Sequence, residues 1–126
     1  MCFWKEPSHE RHEIAEKDIV TYKAVEKINS NNFKSMYYSF HYALTIGYGN
    51  VVDLEELDKK RFLTKEVFHS YANADLAGNE LAIRPRPRCY AIVKCVIPKG
   101  SAFWYNSENG EYASECIKII EEIEAV

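Results

Sequence analysis

Short runs in which apolar and polar residues alternate dominate the chain and predict β-strands. These runs are rich in β-branched and aromatic residues, which suit a pleated surface. Turn signals separate the runs: residues 29–32 are asparagine and serine, and residues 107–110 end in Asn-Gly, the strongest short signal for a hairpin. Strands are predicted over 18–25, 36–42, 66–71, 89–97, 102–105 and 111–113.

The end of the chain admits two interpretations. Four isoleucines fall within residues 117–123, and β-branched side chains favour a strand. A helix is the alternative, because several apolar residues share its spacing. The residues that would lie on one face of that helix are Cys116, Ile119, Ile120 and Ile123. We favour a strand over 116–120, and the choice between strand and helix for 116–126 stays open.

Two other segments have helical spacing. Residues 53–62 start at Asp53, a candidate N-cap, and carry leucines on one face. A second helix is predicted from Asn73 or Ala74 through Leu81. Together with the strands, these helices predict an α+β fold: a twisted, mostly antiparallel sheet of five or six strands with about two helices on one side.

Composition and charge narrow the class of protein. The 126 residues are 47% hydrophobic and 28% charged, as expected for a single domain over 1–126 with an irregular N-terminal segment at 1–17. No apolar run approaches the roughly 18 residues of a membrane span, and the start of the chain lacks the order of a secretion signal. We expect a cytoplasmic protein with no membrane partner, and its cysteines as thiols. The net charge of −3 disfavours nucleic acid as a partner.

Residue types that bind metals are present, but their spacing predicts no metal site. Cys89 and Cys95 lie on one face of the same predicted strand, about 20 Å apart, too far to share a zinc ion. His9 and His12 would be neighbours on a helix, but no cysteine pair accompanies them. We therefore predict no metal and no cofactor, and interpret the cysteines as small apolar side chains.

The most specific motif is Arg-Pro-Arg-Pro-Arg at 84–88. Its prolines keep the backbone extended and hold three guanidinium groups apart. Guanidinium groups bind phosphates and carboxylates through paired hydrogen bonds. The predicted binding residues of this arm are Arg84, Arg86 and Arg88. The alternative is a solvated segment that keeps an edge strand from pairing with other molecules.

Aromatic residues are concentrated on the predicted strands 36–42 and 102–105. Alternation sends half of the side chains of a strand into a core and leaves the rest outside. Exposed Tyr and Trp often mark a binding surface, so Tyr37 and Trp104 are candidate contact residues. The alternative is a core face beside a lightly exposed sheet.

His69 and Ser70 are the most suggestive local pair for nucleophilic catalysis. Adjacent residues of a strand point to opposite faces, so proximity in sequence does not let His69 activate Ser70. The alternative is that His69 packs at a strand end and donates to a main-chain carbonyl.

Short stretches of the second half resemble the C-terminal signature of small proteins from gut Bacteroides and their phages. These stretches are Ile-Pro-Lys-Gly-Ser at 97–101, Phe-Trp-Tyr at 103–105 and Gly-Glu-Tyr-Ala-Ser at 110–114. Residues 68–71 are similar to another recurring element of that group. The resemblance covers 66–120. It implies a β-rich α+β fold and a mobile-element setting, and it implies no activity.

A second resemblance is to small ADP-ribosyltransferase-like domains. These share a Tyr-Lys first strand, a central aromatic or serine strand and a late strand with a glutamate. Tyr22, Ser39 or His41, and Glu111 match those parts, whereas the Ser-Thr-Ser run, a Glu-x-Glu pair ending at Glu111 and an arginine beside Tyr22 are missing. The resemblance implies a nucleotide-handling enzyme with Tyr22, His69 and Glu111 as candidate catalytic residues.

Three hypotheses for function follow. The leading one is a non-enzymatic binding protein of a phage or mobile element, which contacts a protein partner through the arginine arm and the aromatic strand surface. The second is the small nucleotide-handling enzyme, with a nucleotide as its ligand. The third is a structural subunit of a virion or an operon assembly, which predicts a stable homo-oligomer.

Overall fold

In the part of the chain that the structure describes, the fold is one antiparallel sheet with a short helix packed on it. The computed structural model describes residues 12–35, 43–45, 47, 49–51, 68–79 and 89–125. Within these ranges the structure has one helix, α1 (Ala74–Asn79). The strands are β1 (Glu13–Ile14), β2 (Ile19–Lys27), β3 (Asn32–Ser35), β4 (Ala43–Thr45), β5 (Gly49–Val51), β6 (Phe68–Tyr71), β7 (Tyr90–Ile97), β8 (Ala102–Asn106), β9 (Glu111–Ser114) and β10 (Cys116–Ala125).

The expectation of an α+β fold with five or six strands and two helices is wrong, because the described chain is mostly sheet. The sequence did not predict β1, β3, β4 and β5, which are two to four residues long. A strand this short contains too few alternations to differ from a loop in its pattern. The helix predicted over 53–62 and the strand predicted over 36–42 lie outside the described residues.

The longer strands lie in the middle of the sheet. The strand order is β1-β8-β9-β6-β2-β7-β10-β5; β3 branches from β2 and pairs with β4 on its other edge. One edge of β2 pairs with β7 from Ile19 to Glu26. The other edge is shared by β6, which pairs at Tyr22, and by β3, which pairs from Val25 onward. Lys23 therefore lies at a branch between two neighbouring strands.

The two faces of the sheet carry separate clusters of buried side chains. Successive side chains of β2 alternate, so Val25 and Ala24 belong to different clusters. The first face holds Val25, Phe33, Phe68, Ala91, Val93, Cys95, Ile117 and Ile119. The second face holds Ala24, Tyr71, Ala77, Tyr90 and Ile92, and Ala77 belongs to α1. The middle strands are thus packed on both sides.

The ambiguous end of the chain is a strand. The strand predicted over 116–120 is confirmed, and β10 continues to Ala125. Its register with β7 shifts after Ile119 and after Glu122, which makes Ile120 and Ile123 the extra residues of two bulges, and both are exposed. Bulges bend and twist a strand and make its edge a poorer template for other chains.

The helix α1 begins where the sequence predicted a helix. Asn73 is its N-cap, since its Oδ1 accepts a hydrogen bond of 2.9 Å from the main-chain N–H of Leu76. The helix has six residues. In the ranges that the structure describes, no helix has the length and apolar character needed to cross a membrane.

Replacing Asn73 by alanine is expected to lower the free energy of unfolding by about 1 kcal/mol, because the N–H of Leu76 loses its acceptor. The matched control is Asn79→Ala at the exposed far end of α1, with an expected change within about 0.5 kcal/mol. Urea denaturation measures both. Equal losses in the two variants would contradict the assignment of Asn73 as the cap.

Candidate functional site

The predicted contact residues differ in where they lie. Arg84, Arg86, Arg88 and Tyr37 are outside the described residues. Trp104 is 1% exposed, and its ring centroid lies 6.4 Å from that of His12. A side chain buried to this extent offers no surface to a partner. Trp104 is therefore a core residue rather than the contact residue that the sequence suggested.

Phe103 and Tyr105, the neighbours of Trp104 on β8, point to the opposite face from Trp104. Together with a residue of β9 they form a row of aromatic rings. Burial alternates along β8, which leaves Phe103 and Tyr105 partly exposed. Tyr112 is the cross-strand partner of Tyr105, and its ring centroid lies 4.4 Å from that of Tyr105 and 6.0 Å from that of Phe103. These separations are typical of attractive aromatic pairs. We call Phe103, Tyr105 and Tyr112 the aromatic ladder.

Tyr112 carries no charge at neutral pH. Burial, and then the neighbouring Tyr105, raise the pKa of Tyr112 above its ordinary value, so its hydroxyl stays protonated under physiological conditions. The exposed parts of the three rings are thus apolar surface with phenolic hydroxyls as hydrogen-bonding groups.

A groove of about 560 Å³ adjoins the ladder at Phe103. One wall is β1, where Glu13 is the cross-strand partner of Phe103. Ile14, the other residue of β1, is 55% exposed. The described residues that line the groove are Glu13, Ile14, Ala15, Glu16, Lys17, Ile19 and Phe103.

Two of the three candidate catalytic residues form a buried polar pair. The Nδ1 atom of His69 lies 3.3 Å from Oε1 of Glu111, and the two side chains are 5% and 1% exposed. Asn109 donates from Nδ2 to Oε2 of Glu111 at 3.3 Å, while the main-chain N–H of Glu111 donates to Oδ1 of Asn109 at 3.1 Å. The turn that the Asn-Gly signal predicted therefore orients the carboxylate of Glu111.

Lys23 brings a buried positive charge to the same region. At the branch of β2, its Nζ donates to the main-chain carbonyl of His69 at 2.7 Å. Burial, and then the charge of Lys23, lower the pKa of His69 well below 6.5. His69 is therefore neutral at pH 7, and the tautomer with its proton on Nδ1 can donate to Glu111.

Tyr22 lies on the same face of the sheet as His69 and Glu111. The strand β6 separates the strand of Tyr22 from that of Glu111. Tyr22 pairs with Tyr71 across β2 and β6, and Tyr71 pairs with Glu111 across β6 and β9. Two strand spacings, roughly 10 Å, therefore separate the main chains of Tyr22 and Glu111. Tyr22 packs against the cluster of Tyr71 and Ala77. The structure thus brings His69 and Glu111 together and sets Tyr22 apart from them.

Relatives do not decide between these sites. Comparison with protein-family models, curated proteins and solved structures finds no match for this chain. The resemblances to Bacteroides and phage proteins and to ADP-ribosyltransferase-like domains stay predictions. The function is therefore inferred from geometry and chemistry.

The buried pair links strands rather than presenting a reactive group. A histidine beside a carboxylate can act as an acid–base device, but only if the substrate comes within about 3 Å of it. His69 and Glu111 are almost fully covered, and the groove described above is lined by other residues. Together with Lys23, the pair connects β2, β6 and β9 by polar contacts in a low-dielectric interior, where such contacts are strong.

Sequence reasoning missed the buried Lys23, the ladder residue Tyr112 and, apart from Phe103, the residues of the groove, Glu13 among them. Thr21, Lys23 and Val25 are alternate residues of one strand, so their side chains lie on the same face. This alternation could have indicated that Lys23 is buried. The pairing of Tyr112 with Tyr105 follows from the hairpin register. No signal pointed to Glu13, since its strand has two residues.

Proposed function

We propose that the chain is a non-enzymatic binding protein of a phage or other mobile element and that it contacts a protein partner through the aromatic ladder. The observation that carries the proposal is three partly exposed rings, side by side, on one face of the β8–β9 hairpin. Tyrosine and other aromatic anchors contribute much of the energy of many interfaces. The mobile-element setting rests on the resemblance of residues 66–120.

The ladder is suited to binding because its rings already contact one another. Tyr112 packs between Tyr105 and Phe103, so little side-chain freedom is left to lose when a partner docks. The groove with the exposed Ile14 extends the apolar surface beyond Phe103. The nucleotide-handling alternative requires a substrate to reach Glu111, which is 1% exposed. Binding through the ladder requires no rearrangement, and we prefer it for that reason.

The test compares the wild type with the double variant Tyr105→Ala/Tyr112→Ala. Tagged proteins capture partners from host cells after chemical crosslinking, and mass spectrometry quantifies each captured protein. Loss of two aromatic anchors is expected to reduce recovery of the specific partner at least about tenfold, since a loss of 1.4 kcal/mol already has that effect.

The matched control is Ile120→Ala/Ile123→Ala, which removes two exposed apolar side chains from β10. In the strand order, β10 lies toward the opposite edge of the sheet from β8 and β9. This control is expected to keep the partner. If the ladder variant recovers the same proteins as the wild type in the same amounts, the ladder is not the contact surface and the proposal fails.

A further inference from the structure

The groove beside the ladder combines apolar walls with acidic side chains. Ile14, Ile19 and Phe103 supply apolar surface. Glu13 and Glu16, both exposed, also line it. Lys17 is the third charged residue among the described lining residues, whose formal charges therefore sum to −1. A site of this composition favours a positively charged occupant.

The arrangement of Glu13 and Phe103 makes the preference more specific. They lie directly opposite each other on the paired strands β1 and β8, which places their Cβ atoms about 5 Å apart on one face of the sheet. A cation between them can pair with the carboxylate and lie against the ring face. Aromatic rings attract cations through their quadrupole, and guanidinium groups also stack on rings because they are planar. Carboxylate and ring together form the usual surroundings of an arginine side chain.

The rest of the ladder indicates that the occupant is a peptide rather than a small amine. From Phe103 the rings continue to Tyr112, 6.0 Å away, and to Tyr105, a further 4.4 Å along. This surface is longer than one side chain can cover, so neighbouring residues of an extended segment can lie on it. Exposed aromatic rings and acidic residues together are complementary to a basic segment.

We infer that the groove between β1 and Phe103 binds an arginine side chain of a basic peptide segment of the partner, with Glu13, Glu16 and Phe103 as the recognising residues. This inference rests on the proposed function, because it names the chemistry of the partner that the ladder contacts.

The test uses a short fluorescein-labelled peptide that alternates arginine with serine, and a counterpart that alternates glutamate with serine. Fluorescence anisotropy measures both against the wild-type protein at low and at physiological salt. The arginine peptide is expected to bind and the glutamate peptide is not. Affinity is expected to fall as salt rises, because exposed carboxylates are screened.

Three variants locate the site. Glu13→Gln/Glu16→Gln is expected to raise the Kd of the arginine peptide at least about tenfold. Phe103→Leu keeps every charge and is expected to raise the Kd several-fold through the lost ring contact. The matched control Glu121→Gln/Glu124→Gln removes two exposed carboxylates from β10 and is expected to leave the Kd unchanged within about twofold. Thermal melts verify that each variant is folded.

Two results would overturn the inference: no binding of the arginine peptide to the wild type, or equal weakening by the β1 and β10 double variants. The second result would mean that the peptide responds to the overall negative charge of the protein. The capture experiment with Tyr105→Ala/Tyr112→Ala uses no basic peptide. A ladder-dependent partner found together with a failed peptide test would therefore retain the proposed function and reject the arginine site.

Discussion

Replacing Trp104 by alanine is expected to lower the free energy of unfolding by about 3–5 kcal/mol, the range for removing a large aromatic side chain from a packed core. Trp104 is 1% exposed and is one of the largest fully buried side chains of the described chain. Its removal leaves a cavity that the short strands β8 and β9 can close only by bending. For a domain of 126 residues the melting temperature should fall by more than about 10 °C.

The matched control for Trp104 is the next residue on β8. Tyr105→Ala removes an aromatic ring from the partly exposed side of the same strand, and the expected loss is only about 1 kcal/mol. Thermal and urea denaturation of the two variants give the comparison. If Trp104→Ala were as stable as the wild type while losing the partner, Trp104 would be a contact residue and the alternation along β8 would be wrong.

Acidification is expected to destabilise the protein through His69. Burial, and then the charge of Lys23, hold the pKa of His69 well below the value of 6.5 that applies in the unfolded chain. Above pH 6.5 both states are neutral at this residue, so it adds no pH dependence. As the pH falls below 6.5, the unfolded chain binds a proton that the folded chain does not. The free energy of unfolding therefore decreases, by up to about 1.4 kcal/mol per pH unit, until the pH reaches the folded-state pKa of His69.

The variant His69→Gln tests this dependence, because its amide can still donate to Glu111 but does not titrate. Urea denaturation at intervals between about pH 7.5 and 5 should give a steeper decline for the wild type than for His69→Gln. Parallel curves for the wild type and His69→Gln would show that His69 can take up a proton without cost.

The strands that the sequence located share a property that can be read without a structure. The runs behind β2, β7 and β10 are long enough for alternation and β-branched content to outweigh other interpretations. The Asn-Gly signal likewise marked the turn before Glu111, where Gly110 has a φ of 68°, and the N-cap Asn73 marked the start of α1. In each case the information is local, held within a few residues of the element that it specifies.

The fold class was mispredicted partly because a strand can depend on a partner far away along the sequence. β1 exists because Glu13 and Ile14 meet Phe103 and Ala102, about ninety residues later in the chain. Main-chain hydrogen bonds to a strand this far away stabilise β1 whatever its local pattern, and no short window of sequence contains both partners. β3 differs, because it pairs with the preceding strand β2 across the turn cluster to which its first residue belongs.

For the candidate sites, the sequence determined which chemical groups exist and which side of a strand each one occupies. It named His69 and Glu111 as residues of interest, and alternation put Trp104 on the side of β8 opposite to Phe103 and Tyr105. Only the tertiary structure decided which side is the core. It decided that Trp104 is buried while its neighbours form the ladder with Tyr112, and that His69 meets Glu111 across β6 and β9. The physical reason is that burial depends on what packs against a strand face, and the packing elements come from parts of the chain far away in sequence.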